Sequence, residues 1–155
     1  MKKLTRVEHC DRRVRAGSPD VILDFFCEGE LLFVEVKNIG PTPALNIKTK
    51  FDSRFTGING ELDITTLAMF RQISFLSPSR GLQTFIDTRQ SYFARKQPHL
   101  ITATLRWIDR EGFKYSSTIV YDLRVFKDLL TAANKPTDPF TPGENEAWQN
   151  NKGGQ

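Results

Sequence analysis

Residues 31 to 51, LLFVEVKNIGPTPALNIKTKF, constrain the fold more than any other stretch. Leu32, Val34 and Val36 fall on one face and Glu35 and Lys37 on the other, the period of two of a half-buried strand. After Asn38-Ile39-Gly40-Pro41 a second alternation puts Leu45, Ile47, Thr49 and Phe51 inward and Asn46, Lys48 and Lys50 outward. Strands with one polar face belong to antiparallel sheets, because crossover helices would bury both faces of a parallel one.

The same period recurs on both sides. Val21, Leu23, Phe25 and Cys27 alternate with Asp24 before a Glu28-Gly29-Glu30 turn. Leu82 to Thr88 reads as a strand. Ile101, Ala103, Leu105 and Trp107 share a face opposite Thr102, Thr104 and Arg106, and Asp109-Arg110-Glu111-Gly112 is a tight turn. Tyr115, Ser117, Ile119 and Tyr121 then alternate with Lys114, Ser116, Thr118 and Asp122. Between these, residues 52 to 62 read as a long loop or irregular hairpin, Thr66 to Phe75 matches neither a helical nor a strand period, and Arg89 to Pro98 reads as a polar loop. Phe126, Leu129, Leu130 and Ala133 have helical spacing and predict one short capping helix. The fold class is all-β: an antiparallel sandwich of about seven strands with a short C-terminal helix.

A chain of 155 residues has room for one domain. Residues 1 to 18 read as a basic N-terminal arm, 19 to 134 as the β-sandwich with its helix, and 135 to 155 as a disordered tail in which Phe140 and Trp148 are the apolar anchors. The net charge of +4 is uneven: residues 1 to 15 hold six Lys/Arg and two acids, leaving 16 of the 22 basic and 16 of the 18 acidic residues elsewhere. A nucleic-acid reading therefore rests on the arm. The absence of a long apolar run argues against a spanning helix, and two cysteines are too few for a disulfide framework, so the expected location is cytoplasmic.

Asn38-Ile39-Gly40, with Ala44 four residues beyond the glycine and Asn46-Ile47 after it, resembles the crossover of bacterial immunoglobulin-like domains of the fibronectin and cell-adhesion-related kind, often written v-x-N-x-G-x-x-x-A. Phe75-Leu76-Ser77-Pro78 is similar to their L-x-P-G turn, with Ser79 where the glycine would stand, and Tyr115 to Leu123 to their closing strand. The resemblance covers Asp20 to about Leu123 and implies the sandwich fold. On physical grounds the hinge glycine is expected to supply positive φ, and the asparagine to satisfy backbone groups at the crossover.

Four chemical readings compete. Pro19-Asp20, then Glu35-Val36-Lys37, has the PD-(D/E)xK spacing of metal-dependent nucleases, in which Asp20 and Glu35 would hold Mg²⁺ and Lys37 would stabilise the attacking water or the phosphate. No supporting helix follows Lys37, so this reading stands second to a crossover. His9, Cys10, Asp11, Cys27 and His99 match no zinc spacing. Arg6, Arg12, Arg13 and Arg15 in the arm, with Arg89, Arg95 and Lys96 in the 89–98 loop, could contact phosphates. Tyr92, Phe93 and Trp148 are candidate contacts for a protein partner. The best-supported expectation is a non-enzymatic binding or assembly module, without cofactor unless the nuclease reading holds. It would meet another protein through the 52–62 and 89–98 loops or an edge strand.

Overall fold

The structure, a computed structural model, describes residues 17–130. In chain order the elements are β1 (Val21–Glu28), β2 (Leu31–Asn38), β3 (Ala44–Phe51), β4 (Thr56–Gly57), β5 (Leu62–Asp63), α1 (Ala68–Arg71), β6 (Ile73–Leu76), β7 (Gly81–Thr88), α2 (Arg89–Ala94), β8 (Leu100–Ile108) and β9 (Lys114–Asp122). Seven of the strands form two antiparallel sheets, ordered β1-β2-β7 and β6-β3-β8-β9, and β4 and β5 make a separate two-stranded ribbon. The all-β expectation holds.

The alternation read from the sequence is what closes the sandwich. Val21, Leu23, Phe25, Leu32, Val34 and Val36 from one sheet meet Ile47, Ile101, Leu105 and Trp107 from the other in a single buried cluster. At roughly 1.5–3 kcal/mol for each fully buried large apolar side chain, this layer is the main source of stability. The outer face of the smaller sheet is not simply polar. Phe26, Phe33 and Phe85 lie side by side across β1, β2 and β7, with ring centroids 5.3 and 5.8 Å apart.

Several expectations are corrected. In β3 the alternation slips: Ala44 and Ile47 are buried whereas Leu45 pairs outward with Phe75, because Asn46 adopts φ 51 and forms a bulge. Thr66 to Phe75 is both things in turn, the helix α1 and then the strand β6, with Gln72 between them in extended geometry. Arg89 to Pro98 is not an open loop, since its first six residues form α2. The capping helix is a single 3₁₀ turn, Leu123–Phe126, while Leu129 and Leu130 are exposed and Ala133 lies outside the described residues.

Both sheets meet at Asn38, at the end of the sandwich where the chain crosses from β2 to β3. Its fully buried side chain accepts from the Asp20 and Gly40 amides (3.2 and 3.0 Å) and donates to the Thr42 and Leu76 carbonyls (2.8 and 3.1 Å). Its own amide and carbonyl bind Arg80 O and Ser79 N. The expected role of the asparagine is met, but that of the glycine differs. Gly40 is absent from the positive-φ positions, and a Cβ there would stand 2.5 Å from Asp20 N and from Ser18 O, so close backbone approach requires it. Ser79 takes the left-handed conformation, φ 64, in the turn between β6 and β7.

Candidate binding surface

The hairpins orient the connections so that β1 and β7 end, and β2 and β8 begin, at one end of the sandwich. The 52–62 and 89–98 segments both lie there. The β4-β5 ribbon and α2 are then joined by a polar network around Asp87, which is 4% exposed. Its Oδ2 accepts from Arg95 Nη2 (2.5 Å), Ser91 Oγ (3.1 Å) and Asn59 N (3.2 Å), and its Oδ1 from Thr88 N (2.8 Å). Arg95 also binds Thr56 Oγ1 and Thr56 O, and Gln97 Oε1 accepts from the Thr56 amide. In this shielded setting the Asp87 carboxylate is filled by four donors and Arg95 commits both terminal nitrogens to Asp87 and Thr56, its buried Nε alone lacking a partner among the described residues, so the pair positions the two segments.

Beneath the network, Gly57 lies so close to β7 that a Cβ would collide with the Ile86 carbonyl. Above it the chain turns through Ile58, Asn59 and Gly60 at φ 52, 57 and 91. A β-branched residue in the left-handed region is a strained conformation, worth on the order of 1–2 kcal/mol, and surroundings must hold it. Here the Asp87 carboxylate and Ser91 hydroxyl grip Asn59 on its amide and Oδ1. The result is an isoleucine side chain, 43% exposed, at the ribbon tip. Leu31, Leu100, Val125, Leu129 and Leu130 are exposed at the same end.

The sequence-derived site residues fall as follows. Asp20 precedes β1, with one carboxylate oxygen buried and its carbonyl accepting from Ile39 N. The register sets Asp24 opposite Glu35, not Asp20. Glu35 leans the other way, its carboxylate lying over the α-carbon of Gly81 on β7, so the structure does not bring Asp20, Glu35 and Lys37 together around one point. Among the described residues no three His, Cys, Asp or Glu side chains group as metal ligands. Arg6, Arg12, Arg13, Arg15, His9, Cys10, Asp11 and Trp148 lie outside the described residues.

The 89–98 cations and aromatics are corrected in part. Arg89 is 5% exposed and donates to the Leu129 and Lys127 carbonyls, and Arg95 serves the Asp87 network, so only Lys96 faces solvent. Tyr92 is fully buried, with its hydroxyl donating to Pro98 O (2.7 Å), and burial raises its pKa. Phe93 is half-buried against Tyr92 and His99. Helix α2 was signalled by Thr88, whose hydroxyl accepts from Ser91 N as an N-cap. Cys27 is a free, half-buried thiol whose pKa burial pushes up, against the acidifying influence of Arg89.

The opposite end holds a cavity of about 360 Å³ between residues 17–18, 42–43 and the 109–115 hairpin. Its Asp109 carboxylate is engaged by the Glu111 and Phe113 amides and the Tyr115 hydroxyl, a turn-closing role. No helix among the described residues is long and apolar enough to cross a membrane.

One family model, described as Domain of unknown function (DUF8453), matches residues 4–127, and the chain belongs to that family. No curated protein matches it.

Proposed function

We propose that this member of the DUF8453 family is a non-enzymatic binding module that takes a protein partner at the ribbon end of its sandwich. The observation that carries the reading is Ile58, an apolar side chain held out on strained backbone by a buried polar clamp. Strain of this kind persists where surroundings enforce it and concentrates at ligand-contacting positions. Exposed apolar side chains gathered at one end of a fold mark protein contact sites. Rigid presentation lowers the ordering cost of association.

The finer identity of the sandwich belongs to the same reading. The three-plus-four strand arrangement, the Greek-key crossovers and the left-handed Ser79 support an immunoglobulin-like domain, an architecture that recognises partners with loops clustered at one end.

Ile58→Asp tests this. The partner captured by the wild-type protein from its host, identified by mass spectrometry and rebuilt from purified components, should bind Ile58→Asp at least tenfold more weakly. The melting temperature should stay within a few degrees. Equal affinity for Ile58→Asp and for Leu100→Asp would remove this end of the molecule from the interface.

A further inference from the structure

The balanced charge of the folded region conceals a segregation produced by the four-stranded sheet. Across its outer face the register aligns side chains in rows. Phe75, Leu45, Ile108 and Lys114 make the first. Lys48, Arg106 and Ser116 make the second, and Lys50, Thr104 and Thr118 the third. Lys48, Lys50, Arg106 and Lys114 are all exposed, and so is Phe75, at 51%.

Two features separate this face from an ordinary solvated one. Lys48 and Arg106 are directly opposite one another, an arrangement of like charges that costs stability. They also sit on β3 and β8, the inner strands of the sheet. Lysines that guard against edge-to-edge aggregation are placed on edge strands, so that explanation does not reach them. The acids beyond the third row are engaged, Asp52 accepting from Thr102 N and Ser53 Oγ and Asp122 being paired with Arg124, while exposed Glu111 stands in the β8–β9 turn past the first row.

We propose that this face binds single-stranded nucleic acid. Lys48, Lys50 and Arg106 would contact phosphates, the neighbouring Ser116, Thr104 and Thr118 hydroxyls would add hydrogen bonds, and Phe75 would stack a base. Cations and hydroxyls serve the backbone of such a ligand, while an exposed aromatic on the same surface serves its bases. The surface is distinct from the ribbon end, so Ile58→Asp should leave it unaffected.

The test is fluorescence anisotropy of the full-length protein with a labelled 20-nucleotide oligothymidylate and the matching oligouridylate, across a salt series. Log affinity should fall with log salt at a slope of about −2 for three phosphate contacts, losing about 0.7 per cation removed in Lys48→Thr, Lys50→Thr and Arg106→Thr. Phe75→Ala should weaken binding roughly five- to 150-fold. Lys48→Thr should fold at least as stably as wild type, because it relieves the opposed pair. Three results would each overturn the proposal: no binding of either oligonucleotide at low salt; full affinity in the triple threonine variant with loss only on removing residues 1–16; or heparin bound as tightly as the oligonucleotides with Phe75→Ala without effect.

Discussion

Replacing Asn38 by alanine removes four side-chain hydrogen bonds at once. The bonds to Gly40 N and Leu76 O are buried, and the groups left behind there cannot reach water. Each orphaned buried group costs about 1–3 kcal/mol. The bonds to Asp20 N and Thr42 O are only partly buried, so solvent can replace them at a cost of about 0.5 kcal/mol or less. The sum is about 2–7 kcal/mol, a large share of the roughly 5–15 kcal/mol typical of a domain. It corresponds to a melting temperature about 8–28 °C lower. Urea denaturation should show the loss in the midpoint with an unchanged slope. Ile39→Ala, one residue along and 54% exposed, should stay within about 0.5 kcal/mol. Asn38→Asp keeps the acceptor but turns an oxygen toward the Thr42 and Leu76 carbonyls, so its deficit should shrink as the pH falls and the new carboxyl is protonated. A loss below about 1 kcal/mol for Asn38→Ala would refute the account of Asn38 as the joint of the two sheets.

Other outcomes follow from the clamp and the tyrosines. Arg95→Ala leaves the Asp87 carboxylate buried with fewer donors and should cost about 3 kcal/mol. Hydrogen exchange should then accelerate at residues 56–63 and 89–95 before the sheets open, and uniform acceleration across β8 would contradict a local role. Burial, then the nearby Asp24 carboxylate, pushes the Tyr121 hydroxyl up to about 12, and burial raises Tyr92 as well. Both are bound in the fold as neutral phenols, so the stability they confer is whole below about pH 10 and is eroded above it, the share of Tyr121 being lost as the pH climbs through about 12. Tyrosinate absorbance and circular dichroism should change together in that window, and ionisation of both residues near pH 10 in an intact fold would be inconsistent with this.

The strands were legible because a half-buried strand writes its burial in alternate residues: Ile101, Ala103, Leu105 and Trp107 show it without interruption. Asn38 was legible as a crossover because few other residues can both accept and donate at a chain reversal. What escaped depends on partners distant in sequence. The Asp87 clamp joins residues 56, 59, 87, 91 and 95, and no local pattern marks Asp87 as its centre. Gly40 was assigned to the crossover on the wrong physical ground, since its neighbours at residues 18–20 become visible only in the fold. The basic face was hidden by neutrality of the total, because Lys48, Lys50 and Arg106 are assembled on one surface by register while the compensating acids lie elsewhere. Ile58 carried no signal, as nothing in an Ile-Asn-Gly run announces that the isoleucine shares the left-handed conformation.

The bulge at Asn46 also bears on how the chain tolerates changes in length. With Asn46 present, Ala44 and Ile47 face inward although three positions apart; with it deleted, Ala44, Leu45 and Ile47 would alternate regularly and every later residue of β3 would keep its face. Deleting Lys48 instead would turn Thr49 and Phe51 outward and drive Lys50 toward Trp107 and Leu105. Asn46 is thus the extra residue of β3 against β8 but stands in register opposite Ser74 on β6, so a one-residue gap there keeps the inside and outside of β3 while shifting its pairing with the edge strand.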